Sequence, residues 1–180
     1  MKIFRKVRTA DVSYTFQAPN GVPGDITRTD ESNVEPIMLV QDSVPQYPQA
    51  FGVPLVYATG GARDFQSGDT AASFAGVLIR EVPSIAGPGD QGQFSPTVPN
   101  PAEPNGMCVR GYVSVLVAAG TPTRGGVVYI QVTAHNGVNP GAFRADGTDS
   151  GNAVALSSTQ ASWASDGVDA FGNAELRIAR

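Results

Sequence analysis

Residues 107–118, MCVRGYVSVLVA, decide the fold of this chain. Apolar residues recur at every second position from Met107 to Val117, four of them valine and one, Gly111, a glycine, while the positions between them are mixed. This period of two is typical of a half-buried β-strand. A second alternating stretch, residues 126–134, follows a Gly- and Pro-containing turn, and we predict that the two segments pair as an antiparallel hairpin.

Shorter segments on both sides of this pair also have the character of strands. Each is an apolar or alternating run bounded by Gly, Pro, Asn or Asp. They cover residues 12–16, 26–28, 36–40, 53–58, 74–82, 152–156 and 173–178, and residues 157–164 are either a strand or one helical turn. The turn GVPGD at 21–25 separates the first two, and Pro54 places its strand at a sheet edge or gives it an irregular start.

The composition agrees with this reading. The 180 residues include 21 glycines, 14 prolines and only 16% charged side chains, which disfavours a helical bundle. The predicted fold is therefore all-β: a single-domain antiparallel β-sandwich or barrel, jelly-roll-like. We expect an extended N-terminal arm over residues 1–20 and a domain over 21–180, with a long Pro-rich loop at 83–106.

The charge is unevenly distributed. The net charge is −4, yet Lys2, Arg5, Lys6 and Arg8 supply four of the twelve basic residues. The rest of the chain carries eight basic and sixteen acidic groups, so no basic stripe is expected on the fold and nucleic acid is not a predicted partner. The basic arm is either a solvated terminus or a segment that pairs with an acidic or phosphate-bearing partner.

Few residues are suited to catalysis or to binding a cofactor. His135 is the sole histidine, so a catalytic triad could use only this residue, and a cupin metal site would lack the two or three histidines it needs. Cys108 is alone and lies in an apolar strand, which predicts a small buried hydrophobe rather than a disulfide or metal ligand. We predict no enzyme activity, no metal and no cofactor.

Two acidic groupings leave alternatives open. The Asp146–Asn152 segment resembles a calcium loop in composition but lacks the ligand order of an EF-hand, and Asp and Gly also build turns without metal. Asp64 and Asp69 could form a glycosidase pair only if the fold placed them across a cleft. Turn formation is the simpler interpretation of Asp146–Asn152, and the sequence does not place Asp64 and Asp69 across a cleft.

The sequence contains no segment suited to a membrane. No apolar region follows the basic N-terminal residues, and no run of 18 apolar residues occurs. We therefore expect neither a secretory signal nor a membrane span, and synthesis in a cytoplasm.

Several motifs together resemble the cement proteins that decorate the capsids of tailed bacteriophages. They occur in the family's order across residues 21–178: GVPGD at 21–25, FAGVLIR at 74–80, RGYVSV at 110–115, GGVVYI at 125–130, and Trp163 followed by DAFGNAELRI at 169–178. The resemblance implies a β-rich, often jelly-roll-like virion protein without catalytic residues. It also implies binding to the outside of an icosahedral shell, at contacts between major capsid protein subunits.

On this resemblance we predict a capsid decoration protein that bridges major capsid protein subunits and forms a homo-dimer or homo-trimer. The residues predicted to touch the capsid lie in the arm and the long loop: Lys2, Arg5, Lys6, Arg8, Pro88, Phe94 and Pro99. The alternative is a receptor- or glycan-binding module of a phage tail or fibre. It would need an exposed aromatic platform, for which the candidates are Tyr47, Tyr57, Phe65 and Trp163.

Overall fold

The computed structural model describes residues 20–41, 46–80, 98–149 and 151–179. Those residues form an almost entirely β structure, with two single-turn 3₁₀ helices at Thr29–Glu31 and Ala71–Ser73, neither of which could cross a membrane. The strands are β1 (Asn33–Ile37), β2 (Pro54–Ala58), β3 (Gly61–Asp64), β4 (Phe74–Leu78), β5 (Asn105–Ala119), β6 (Tyr129–Gln131), β7 (Phe143–Arg144), β8 (Ala153–Ala155), β9 (Ala161–Trp163) and β10 (Asn173–Ile178). The all-β prediction is confirmed.

The long strand β5 organises the whole sheet. Its first half pairs antiparallel with β1 and β4, and its second half pairs antiparallel with β10. Near its end β5 runs parallel to β7, and this is the one parallel pair among the named strands of the described residues. The segment with the strongest alternation in the sequence is thus the strand with which four of the other nine named strands pair.

The predicted hairpin between residues 107–118 and 126–134 is wrong. Strand β6, at the centre of the second segment, pairs with β7 and β8, and none of its pairs involves β5. The alternation did identify the buried face, because Val128, Ile130 and Val132 all lie in the core. Period two reports which side of a strand is buried, but it carries no information about the neighbouring strand.

Strand β5 changes direction at Gly111. This glycine has a φ of +128°, and an added Cβ would lie 2.6 Å from the Cα of Ser32. The alternation inverts across it: Met107 faces the smaller of two core clusters, whereas Val113 faces the larger one. The register with β1 also skips a residue beside Arg110, so a bulge and a kink replace the single continuous face that the sequence predicts.

The first part of the sheet curls into a barrel-like ring. Strand β1 pairs with β5 on one side, and the chain that follows β1 pairs with β3 on the other. There the N–H of Ala62 donates to the carbonyl oxygen of Met38, and the N–H of Val40 donates to the carbonyl oxygen of Ala62, both at 2.9 Å. This ring, made of β1 to β4, the first half of β5 and residues 38–40, encloses the smaller core cluster: Ile37, Leu39, Phe51, Leu55, Ala62, Ala75, Leu78 and Met107.

The larger core cluster joins the ring to strands β6–β10. Val56, Phe74 and Val77 of the ring share it with Ile130, Phe143 and Trp163 of the later strands. Phe65 and Phe74 pack at a ring-centroid distance of 6.4 Å within it. Strand β4 is therefore buried on both faces, as are the first residues of β2 and β5, which explains their continuous apolar runs.

The shorter predictions had mixed outcomes. Pro54 is the first residue of β2, which lies between β3 and β4, so the irregular start is confirmed and the edge position is wrong. The strand predicted at 36–40 begins earlier, at Asn33, and that at 26–28 is reduced to one bridge between Ile26 and Val113. Strands β8 and β10 confirm the predictions at 152–156 and 173–178; residues 12–16 lie outside the described residues.

Candidate binding surfaces

The residues predicted to make contacts fall largely outside the described part of the chain. Lys2, Arg5, Lys6 and Arg8 of the arm, and Pro88 and Phe94 of the loop, are not among the described residues. Pro99 is described and is buried. The described residues nevertheless show where both segments join the fold.

The arm joins the fold at the turn formed by residues 21–25. Asn20 donates its side-chain amide to the carbonyl oxygen of Asn173 (2.9 Å), and Asn173 donates back to the carbonyl oxygen of Gly21 (3.0 Å). The N–H of Asp25 donates to the carbonyl oxygen of Val22, which closes the turn at 2.9 Å. The predicted turn is confirmed, and reciprocal hydrogen bonds hold it against the start of β10.

Gly24 brings this turn into backbone contact with two other segments. Its N–H donates to the carbonyl oxygen of Ser114 (2.8 Å), and its carbonyl oxygen accepts from the N–H of Arg80 (2.9 Å). With a φ of +92°, an added Cβ would lie 2.7 Å from the Cβ of Phe51 and 2.9 Å from the Arg80 nitrogen. Only glycine fits this close approach without strain.

The described residues on either side of the predicted long loop lie close to this turn. Arg80 is the last described residue before the loop, and its guanidinium lies over the Phe51 ring, 5.0 Å from the centroid. The preceding residue, Ile79, donates its N–H to the carbonyl oxygen of Gly106 (3.0 Å), where the chain has returned from the loop. We call the group Gly24, Phe51, Gly52 and Arg80 the junction, because the roots of both predicted contact segments meet there.

A second surface gathers four arginines from distant parts of the sequence. Two shallow grooves, of about 520 and 200 Å³, meet along Tyr112 and Arg177. We call this surface the arginine face, after the arginines that line the two grooves: Arg28, Arg110, Arg124 and Arg177.

Arg28 is the fixed centre of the arginine face. Its guanidinium lies 3.9 Å from the centroid of the Tyr112 ring and donates two hydrogen bonds to the Glu175 carboxylate, at 2.7 and 3.1 Å. Thr27 donates a further bond to Glu175 at 2.6 Å. Burial alone would raise the pKa of Glu175, but the bonds from Arg28 and Thr27 outweigh it and hold that pKa below its ordinary value.

The other three arginines of this face are more accessible to a binding partner than Arg28 is. Arg124 and Asp166 approach only to 3.9 Å, and both side chains are largely exposed. Arg110 and Arg177 are exposed and form no ion pair with any carboxylate among the described residues. Two cationic groups thus border the larger groove without an anionic partner in this part of the chain.

A buried polar network explains the segment that resembles a calcium loop. Arg144 donates to the side chains of Asp146, Asp149 and Gln131, with bonds between 2.6 and 3.0 Å. Hydrogen bonds from Asn152, and then from Gln131, His135 and Arg144, hold the pKa of Asp149 well below its ordinary value against the opposing effect of desolvation. The carboxylates of Asp146 and Asp149 thus accept hydrogen bonds from Arg144. Among the described residues, no group of three His, Cys, Asp or Glu residues is arranged to hold a metal.

His135 and Cys108 occupy the positions expected of structural residues. His135 is hydrogen-bonded through Nδ1 to Asp149 at 2.9 Å. Cys108 is fully buried, and burial raises the pKa of its thiol to about 11, which favours the neutral thiol form.

The two carboxyl groups considered above as a possible glycosidase pair, Asp64 and Asp69, have unequal surroundings. Asp69 accepts two hydrogen bonds from Arg63, at 2.7 and 2.9 Å. Burial raises the pKa of Asp64 to about 6, although the neighbouring charge of Arg63 opposes the shift. Asp69 is thus engaged by an arginine in the fold, which favours a structural role for that carboxylate.

The four aromatic residues considered for a glycan-binding platform do not form a shared exposed surface. Phe65 and Trp163 are each only 1% exposed, and the indole N–H of Trp163 donates to the carbonyl oxygen of Val127. Tyr47 packs against the smaller core cluster. Of the four candidates Tyr57 alone is exposed, and its hydroxyl donates to Glu35 at 2.6 Å.

Sequence reasoning missed the arginine face altogether. Its four arginines are separated by up to 149 positions and show no spacing pattern. One local signal existed: Arg177 alternates with core residues in β10, which places it on the exposed side of that strand.

Comparison with known proteins is consistent with the fold and with the motifs. Residues 10–179 match the family described as structural cement protein (E217 gp24/Pam3 gp6). A chain in the solved structure of the capsid of Myoviridae phage XM1 superimposes with a TM-score of 0.61 and 16% sequence identity, over 87% of this chain and 88% of that chain. At that identity the likeness concerns the fold. No curated protein matches this chain.

Proposed function

The chain belongs to the phage structural cement protein family, and from this membership we propose that it binds the outer surface of the assembled capsid and stabilises it by bridging neighbouring major capsid protein subunits. It does so without catalysis, after synthesis in the cytoplasm of the host bacterium. A homo-dimer or homo-trimer is its working form, since closed symmetry is the rule among homo-oligomers.

The junction is the observation that supports this proposal most directly. Two hydrogen bonds of Gly24, to Ser114 and to Arg80, tie the root of the arm to the root of the loop. Segments that start from one fixed point can contact two different neighbours while the β core remains rigid. This arrangement suits a protein whose task is to hold adjacent subunits together.

The physical mechanism is preferential binding to the assembled state. A ligand that binds one state of a protein, and not another, stabilises the bound state by RT ln(1 + [L]/Kd). A contact of about 800 Å² per partner is an ordinary specific interface. Because each copy bridges neighbours, the second contact forms at high effective concentration, and repetition over the shell multiplies the effect.

Charge supports a role for the arm. Lys2, Arg5, Lys6 and Arg8 place four positive charges on a body that otherwise carries a net −8. We assign them to acidic loops of the capsid and assign Pro88 and Phe94 to the loop contact, whereas the buried Pro99 anchors the returning chain to the fold and is not assigned to that contact. Prolines in the loop lower the entropy that is lost on docking.

Cosedimentation with purified capsids that lack this protein tests the proposal. We expect the intact chain to bind and to raise the temperature at which the capsid dissociates. Deletion of residues 1–10, or replacement of residues 84–97 by a short Gly-Ser linker, lowers the occupancy while the circular dichroism spectrum of the β fold is kept.

A charge-preserving variant serves as the control for the arm. Exchanging Lys for Arg and Arg for Lys at positions 2, 5, 6 and 8 keeps the charge, whereas glutamine at the same positions removes it. We expect weaker binding only for the glutamine variant. Unchanged occupancy after deletion of the arm and replacement of the loop would contradict the assignment of these segments.

A further inference from the structure

We propose that the larger groove of the arginine face, lined by Arg110 and Arg177 but not by Arg124, is a docking site for an acidic segment of a capsid subunit, in which Arg110 and Arg177 bind a carboxylate of that segment. This inference rests on the proposed function and names a second contact, separate from the arm and the long loop.

The first argument is the distribution of charge. The described residues contain seven arginines against twelve aspartates and glutamates, and they include no lysine. Four of those seven arginines line two adjoining grooves. With Asp30, Glu31, Glu175 and Asp166 beside these four arginines, the face is close to neutral on a body that is otherwise acidic, so an acidic side chain meets less repulsion here than over the described residues as a whole.

The second argument is availability. Of the three arginines away from this face, Arg63 and Arg144 are paired with carboxylates, and Arg80 lies over Phe51. On the face itself Arg28 is held by Glu175. Arg110 and Arg177 remain exposed without a carboxylate among the described residues, so an incoming anion displaces no ion pair that the described residues form with them.

The third argument is rigidity. Arg177 lies in β10, opposite Tyr112 of β5 on one side and Ser162 of β9 on the other. Arg110 lies opposite Asn33 of β1, immediately before the kink at Gly111. Both residues are carried by paired strands, and a guanidinium on a fixed backbone binds a carboxylate with geometric specificity.

The composition of the groove favours a peptide over a nucleic acid. Asp30 and Glu31 line the same groove as Arg110 and Arg177, together with Ser32 and Asn33. A continuous phosphate backbone would be repelled by these two carboxylates. A protein segment with one acidic side chain next to amide or basic groups meets both kinds of charge favourably.

Charge reversal tests this site. In titrations of undecorated capsids at about 50 mM NaCl, we expect the double variant Arg110→Glu/Arg177→Glu to bind at least about tenfold more weakly than the wild type. The difference narrows as salt is raised. Arg110→Lys/Arg177→Lys stays within about threefold of the wild type, and Arg124→Glu, on the rim of the same face, is the matched control.

Each result separates the possibilities. If the wild type and the double reversal variant bind the capsid equally well, this inference is overturned and the proposed function is unaffected. Equal losses for Arg124→Glu and the double reversal also overturn it, since they report only general charge. A changed oligomeric state in light scattering without loss of capsid affinity assigns the face to a second copy of this chain instead. Absence of wild-type binding overturns both proposals.

Discussion

Arg144 in the buried polar network and the exposed arginines of the arginine face differ in burial and in their hydrogen-bond partners. Arg144 is only 6% exposed, and four hydrogen bonds connect its guanidinium to Asp146, Asp149 and Gln131. Arg110 and Arg177 lie at the surface without a carboxylate among the described residues.

This difference separates a structural role from a binding role. A buried charge with satisfied donors is part of the fold, because removing it leaves its partners desolvated and unpaired. An exposed charge without a partner contributes little to folding and keeps its hydrogen-bonding capacity for another molecule. Substitutions in the first region should therefore change stability, and those in the second should change binding.

The largest effect is expected at Arg144. The variant Arg144→Ala leaves the Asp149 carboxylate buried without its cationic partner, and we expect a loss of about 3–5 kcal/mol in the free energy of unfolding. Urea denaturation measures this loss, with Arg124→Ala as an exposed control that should change stability by less than about 0.5 kcal/mol. Similar midpoints for the two variants would remove the distinction between the regions.

The partly buried carboxyl group of Asp64 gives a second test of how burial affects a charged side chain, through the pH dependence of the free energy of unfolding. The pKa of Asp64 is raised from 3.8 to about 6, mainly by burial. The folded chain therefore holds this proton more tightly than the unfolded chain, and the contribution of Asp64 to stability falls as pH rises from about 4 through 6.

Asp64→Asn should remove that loss, because the amide stays neutral at every pH. We expect the variant to be more stable than the wild type by about 1–2 kcal/mol at pH 7.5 and equal to it below about pH 4. Melting temperatures measured from pH 4 to 8 follow the effect. A constant difference across this range would show that Asp64 does not titrate there.

The smallest effect on stability is expected on the arginine face. Arg110→Ala/Arg177→Ala should change the free energy of unfolding by no more than about 0.5 kcal/mol, since neither side chain is buried or ion-paired among the described residues. The same urea measurement used for Arg144 checks this value. A loss of several kcal/mol would show that these arginines belong to the fold and would weaken their assignment to binding.

Local chemistry made much of the fold predictable from the sequence. Alternating side chains identified β5 and β10, and the glycines and proline of residues 21–25 identified the turn. These features depend on neighbours within a few positions, which a single sequence displays.

Features that depend on distant partners were not accessible in the same way. The hairpin between 107–118 and 126–134 was inferred from proximity in sequence, yet β5 instead pairs with β10, some sixty residues later. The kink at Gly111 was hidden because glycine fits an alternating pattern as well as it fits a bulge. The arginine face requires four separate segments to be folded before it exists.

The pairing of β5 has a consequence for how the chain folds. Ile26, close to the start of the described residues, forms a bridge with Val113, and Ile178, close to their end, pairs with Gly111. Contacts of such large separation in sequence make folding slow and cooperative. We therefore expect this protein to complete its fold only after β10 has left the ribosome, so that a truncated translation product lacking this strand remains without a native core.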